Sequence, residues 1–233
     1  MPLQPALPAA LVKLPATPDL VEQVHRALLD AISSGTLAPG QRLTQEDIAR
    51  QLAVSRQPVL QALRLLKADG LLTEAPGRGL VVAPVDAGAI THVYQVREAL
   101  DVLAARLAAE RRASIAPELL SLGRAAAAGS DVTAMIDADL AFHQAVYDAA
   151  GNPLIGRSAT LHWWHIRRAM GLVLQRNTVR QTVWDEHAAI AAAIHLGDAA
   201  LAGALMSTHD RRASAHMHAH LAPPPETRHA PEP

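Results

Sequence analysis

Apolar positions recur at helical spacing along most of this chain, with one short exception. Leu20, Val21, Val24, Ala27, Leu28, Ala31 and Ile32 mark a first amphipathic helix that ends at Gly35. In residues 46–52, Ile48, Ala49 and Leu52 share one face. Ala53 and Val54 make a turn, Ser55 is suited to cap the next helix, and Pro58 falls in its first turn, where a missing N–H costs little. Val59, Ala62, Leu63 and Leu66 form that helix's buried stripe, and Arg56, Gln57, Leu60, Gln61 and Arg64 are left outside. Gly70 stops it. The exception follows: residues 71–73 and 80–82 are short apolar strands, with Pro76, Gly77, Arg78 and Gly79 turning between them.

This order predicts a winged helix-turn-helix over residues 18–84: three helices and a small β ribbon. The helix that Ser55 caps would enter a DNA major groove by its N-terminal end. Arg56 can give two hydrogen bonds to guanine, and Gln57 or Gln61 two to adenine; Arg64 lies further along the same outer side. Arg78 and Gly79, at the ribbon tip, would approach a minor groove. The competing reading is a helical hairpin inside an unrelated core. Such a hairpin has no need of polar residues gathered at a helix start, or of a glycine-flanked arginine.

Pro84 ends the ribbon and Asp86 can cap a new helix. From there to Leu221 the spacing is helical throughout. Breaks near 114–117, 129–131, 151–153, 175–178 and 197–198 predict about six helices in an all-α unit over 85–221. In the first of them Val93, Val96, Leu100, Leu103 and Leu107 read as the core stripe, with Arg97 on its flank. That arginine either points into a bundle cavity or pairs at the surface with Glu98 or Asp101. Residues 1–17 and 222–233 are rich in proline without period and are expected to lack fixed structure.

Composition narrows the class. Half of the 233 residues are hydrophobic but only 3% aromatic, which favours packed helices. There is no cysteine, hence no disulfide and no thiolate metal site. No apolar run has the length of a membrane span, and the start lacks the charge-then-apolar pattern of a signal peptide. A cytoplasmic protein is expected. Net charge is −1, and residues 1–83 hold eight Lys and Arg against seven Asp and Glu. DNA affinity must therefore come from local placement of charge rather than bulk attraction.

Twelve histidines are spread over the chain, and their helical phase sorts them. Asp139 and His143 fall one turn apart on the side of Ile136 and Val146. His187 is in phase with Val183, Ile190 and Ile194, and His209 with Leu201, Ala202 and Leu205. One carboxylate and three imidazoles on apolar faces suit a divalent metal, with zinc, nickel, manganese and iron all conceivable. Any one of these histidines alone reads better as a hydrogen-bonded core residue. Trp163, Trp164, Arg167 and Arg168, with His162 and His165, either line an effector cavity or form an ordinary helix with its arginine stems laid along apolar surface.

Two stretches carry a family resemblance. Residues 35–43, then Leu52 to Val59, Ala62-Leu63, Gly70-Leu71-Leu72 and Gly77-Arg78-Gly79 resemble the GntR family of bacterial transcription regulators. Leu60 and Gln61 stand where relatives commonly carry Arg and Glu, and Glu46 where a basic residue is common, so the usual operator is not implied. Tyr94 to Asp101, Asp139 to His143, Gly151-Asn152-Pro153, Glu186 to Ile190 and His209 resemble the FCD effector domain of the FadR subfamily. That resemblance implies Asp139, His143, His187 and His209 as ligands of one divalent metal ion.

The combined expectation is a homodimeric, ligand-responsive repressor that binds a double-stranded DNA operator. Its helical unit would bind a metal and a small carboxylate effector, with Arg97, Trp164 and Arg167 as candidate effector contacts. The rivals are a regulator that senses the metal itself, a metal that only holds the bundle together, and a metal-dependent hydrolase. The hydrolase lacks an evident additional inward base and leaves the wing motifs unexplained.

Overall fold

The computed structural model describes residues 20–77, 79–174 and 181–222. The N-terminal unit runs α1 (Leu20–Ser33), β1 (Arg42–Leu43), α2 (Gln45–Gln51), α3 (Arg56–Ala68), β2 (Leu72–Glu74) and β3 (Leu80–Val82). Six further helices follow: α4 (Ala87–Glu110), α5 (Pro117–Ala128), α6 (Val132–Ala150), α7 (Pro153–Leu174), α8 (Gln181–Leu196) and α9 (Ala199–Leu221). The mainly helical fold with an N-terminal helix-turn-helix is as the periodicity predicts. The break near 175–178, the residues before 20 and all but the first residue of the tail lie outside the described residues. Among the described residues no helix is long and apolar enough to cross a membrane.

Local chemistry sets the first unit. Thr44 caps α2, its hydroxyl accepting from the Asp47 N–H at 3.1 Å. Ala53 takes a left-handed φ of 52°, which makes the tight turn into α3. Ser55 holds the N-cap position of α3, but its hydroxyl makes no capping hydrogen bond. Val24, Leu28, Ile32, Val59, Leu66 and Val82 close a common core. The expected two-stranded ribbon is a three-stranded antiparallel sheet of order β1-β3-β2, with Leu72 opposite Val82 and Arg42 opposite Val81. A two-residue strand carries no alternation, so β1 left no trace in the pattern.

In the helical unit α4 and α9 pack along each other: Gly203 lies against Val102 and Arg106, Ser207 donates to Glu98 at 2.6 Å, and Ala104, Ala105, Ala108 and Ala202 are fully buried. These small residues let the helices approach closely. They also correct the stripe expected on α4. Its buried face is Ile90, Tyr94, Arg97, Asp101, Ala104 and Ala108. Val96 is 49% and Leu103 44% exposed. Arg97 lies in the middle of the buried face rather than on a flank, because Asp101, one turn on, satisfies it there. On α9, Leu201 is likewise 45% exposed, while Ala202 and Met206 are buried.

Helix α7 joins the two units. Trp163, Ile166, Ala169 and Val173 pack inward with Ile90, Tyr94 and Met217. On its other side Trp164 packs against the core of the N-terminal unit, and Arg168 donates a hydrogen bond to the Ala83 carbonyl at the end of the sheet. Replacing Arg168 by Met removes a charged donor and leaves that carbonyl unpaired. Arg168→Met should cost about 1.5–3 kcal/mol of stability in urea unfolding. A variant as stable as the parent would show that this contact does not hold the units together.

Candidate functional site

Three helices of the bundle deliver polar side chains to one buried point. Helix α6 brings Asp139 and His143, α8 brings His187, and α9 brings His209. All four are buried, and one donor atom from each lies within 4.8 Å of the others. His187 Nε2 is 3.3 Å from His209 Nε2 and 3.5 Å from Asp139 Oδ1. The ring of Phe142 stacks on His187 with centroids 4.1 Å apart.

A second layer orients these groups. His209 donates its Nδ1 hydrogen to Glu186 Oε2 at 2.9 Å, and Arg212 donates to the other Glu186 oxygen at 2.6 Å. That fixes the tautomer and turns the Nε2 lone pair of His209 inward. Asp101 Oδ2 lies 3.0 Å from His143 Nδ1, close enough for ion pairing but out of line for a hydrogen bond. Asp101 itself accepts from Arg97 Nε at 3.0 Å and from the Tyr147 hydroxyl at 2.5 Å. The Arg97 guanidinium sits over Trp163, 4.3 Å from the ring centroid.

Electrostatics follow from burial. Desolvation lowers His143 and His187, His187 well below the usual imidazole range, so both rings are neutral at pH 7. Burial alone would raise Asp101, but Arg97, His143 and the Tyr147 hydroxyl outweigh it and hold its carboxyl well below the usual range. Burial pushes Asp210 well up, with the nearby Asp101 charge adding to it; both Asp210 oxygens lack hydrogen bonds and Arg97 Nε is 3.8 Å away.

The donor set suits a divalent cation. His143 Nε2 is fully buried and has no hydrogen-bond partner, and His187 Nδ1 is in the same position. The 3.3 Å approach of His187 Nε2 to His209 Nε2 puts one ring hydrogen between two imidazoles, a place that a cation would take. The donor atoms, within 4.8 Å of one another, would have to draw closer to share one ion at ligand distances of about 2.0–2.2 Å.

Beside the cluster is a cavity of about 250 Å³ between α4, α7, α8 and α9, with Asp139 and His209 in its wall. The structure brings Arg97 to this cavity. It places Trp164 against the N-terminal core, and pairs Arg167 with Asp137 at 3.0 Å. One residue along α7 is a rotation of about 100°, which turns Trp163 inward and Trp164 away. Trp163 was a candidate for the effector cavity, but the orienting roles of Asp101, Glu186 and Arg212 went unrecognised in the sequence. Two signals were present: Asp101 is one turn from Arg97, and Glu186 directly precedes His187.

The other candidate surface is α3. Arg56, Gln57, Gln61 and Arg64 are all exposed along it, beside the exposed Ser55. Arg56 Nη2 is 3.3 Å from Glu46 Oε2, a solvent-exposed pair that costs little to open. Gly79 takes φ 100° in the wing, and the Arg42 side chain lies 3.5 Å from where a Cβ would project from it. Arg42, which the pattern did not single out, thus lies at the wing. Arg78 lies outside the described residues.

Comparison with known proteins agrees with this division. The profile of the bacterial regulatory proteins of the gntR family matches residues 20–82, and that of the FCD domain residues 92–222. An HTH-type transcriptional regulator from an unstable DNA locus of Streptomyces ambofaciens is 30% identical over 193 residues, spanning 81% of this chain and 80% of that protein. The HTH-type transcriptional regulator McbR of Escherichia coli (strain K12) is 27% identical over 175 residues, 72% of this chain and 77% of its own. The solved McbR structure shares the fold, with a TM-score of 0.71 at 23% identity over 85% of this chain and 96% of that one. A GntR transcriptional regulator from Rhodococcus sp. RHA1 aligns with a TM-score of 0.70 at 26% identity, over 84% and 96% of the two chains. The chain therefore belongs to the GntR family: it is a DNA-binding transcription regulator, not an enzyme, whose helix-turn-helix is followed by an FCD domain.

Proposed function

We propose that this regulator holds one divalent metal on Asp139, His143, His187 and His209, and reads a small carboxylate effector in the cavity beside it. The observation that carries the reading is the convergence of four buried donors with the His143 Nε2 lone pair unpartnered. The metal would supply coordination positions for a carboxylate. The protein's part is to keep the imidazoles neutral, to aim His209 through Glu186, and to exclude water with Phe142 and Trp163. A purely structural metal is the second reading, supported by the depth of His143 and His187, both fully buried.

His187→Ala separates the two. In a regulatory site the variant loses metal by elemental analysis and loses effector response, while DNA binding persists. In a structural site the same change chiefly lowers the melting temperature. Full metal retention in both His143→Ala and His187→Ala would sink this ligand assignment.

On DNA, the reading is a pseudo-palindromic operator contacted by Arg56 and Gln57, with Gln61, Arg64, Ser55 and the wing at Arg78 and Gly79 alongside; Arg42 adds a cation at the wing. Arg56→Ala should cost about 1–3 kcal/mol at the specific site if the contact is bidentate. Unchanged preference in a randomised-site selection would remove Arg56 from base reading.

A cytoplasmic homodimer acting as a repressor completes the proposal, because one helix-turn-helix covers only one half-site. The exposed Val96 and Leu103 on α4 offer the apolar contact surface. Sedimentation should show a dimer at micromolar concentration, which Leu103→Glu weakens. A monomer alone, with and without DNA, would contradict the assembly.

A further inference from the structure

We infer that the effector is a monocarboxylate with an apolar tail, its head at the Asp139 and His209 end of the cavity and its tail against the opposite wall. This rests on the metal-and-effector reading and narrows the ligand within it. Away from the cluster the lining is Met170 and Leu174 of α7, Val183 of α8, and Ala213 and Met217 of α9, with Thr182 and His216 as its polar members. Methionines at two of these places can adjust to a tail's shape.

Charge argues for a single carboxylate. Both arginines of the cavity are already engaged, Arg97 with Asp101 at 3.0 Å and Arg212 with Glu186 at 2.6 Å. Tyr94 also lines the cavity, and burial raises its hydroxyl, so it offers a neutral donor and not a counter-charge. Asp101, Asp139 and Glu186 bring negative charge to the same region. They offset much of what a divalent ion and two arginines would bring. A second carboxylate there would meet thioether and methyl groups, with only the Thr182 hydroxyl and the His216 imidazole as polar neighbours and neither arginine of the cavity uncommitted, and an uncompensated buried charge is costly. A volume of about 250 Å³ is below the roughly 300–1,000 Å³ of sites that take drug-sized ligands, so the tail is short.

The test is calorimetric titration of the full-length, zinc-loaded protein with acetate, butyrate, hexanoate and octanoate, and with succinate and citrate. Affinity should rise about fourfold for each added methylene until the cavity is full. Succinate should bind more weakly than butyrate, which has the same number of carbons. Met170→Gln, similar in size but polar, should flatten the series. A flat series in the parent, or succinate or citrate binding as tightly as butyrate, overturns the inference while leaving the metal reading intact. Zinc binding with no response to any acid overturns the inference and the carboxylate effector together. If zinc, nickel, manganese and iron(II) all fail to bind, the metal reading fails. The series is then run on the metal-free protein, where the same slope supports the tail site and a flat response overturns it.

Discussion

Burying ionisable groups in an apolar bundle sets the conditions that the rest of the helical unit meets. Asp139, His143, His187 and His209 are removed from water. Each must keep a partner, because an unpartnered buried polar group costs more than most single contacts return. The second layer is the response. Glu186 holds His209 and is held by Arg212; Asp101 approaches His143 and is held by Arg97 and Tyr147. This chain of dependence explains why an arginine and an aspartate occupy the centre of α4, where periodicity alone would place leucines. It also leaves His143 Nδ1 and Nε2 and His187 Nδ1 without hydrogen-bond partners, and the metal proposal rests on His143 Nε2.

Helix α7 is where the buried site and the DNA-binding unit come closest to sharing a wall. Met170 and Leu174 line the cavity, and Trp163 covers Arg97. Two residues of the same helix, Trp164 and Arg168, touch the N-terminal core and the Ala83 carbonyl. A rigid helix with both contacts can carry a small displacement from one unit to the other. The physical requirement is two arrangements of α7 that ligand favours unequally.

The DNA-binding side works with little net charge. Specific binding must come from groups already aimed, and α3 presents Arg56, Gln57, Gln61 and Arg64 on its open side without help from a basic field. The Glu46–Arg56 pair keeps that arginine ordered at small cost when DNA is absent.

The sequence by itself determined the elements and the chemistry they carry. Helical spacing, Gly70, Asp86 and Gly151 marked the helices and their ends, because these signals are local. Phase along single helices put Asp139, His143, His187 and His209 on inner faces for the same reason. What only the tertiary structure decided depends on neighbours. Packing set α9 along the Glu98 and Val102 side of α4, where Ser207 and Arg211 reach Glu98 and Gly203 lies against Val102, leaving Val96 and Leu103 exposed and burying Arg97. The rotation of α7 about its axis turned Trp163, rather than Trp164, toward Arg97 and His143. β1 exists because β3 offers it an edge. The partners of the imidazoles come from different helices, Asp101 reaching His143 across forty-two positions of chain and Glu186 reaching His209 across twenty-three. Phase places a residue on a face, but only packing decides which face it meets.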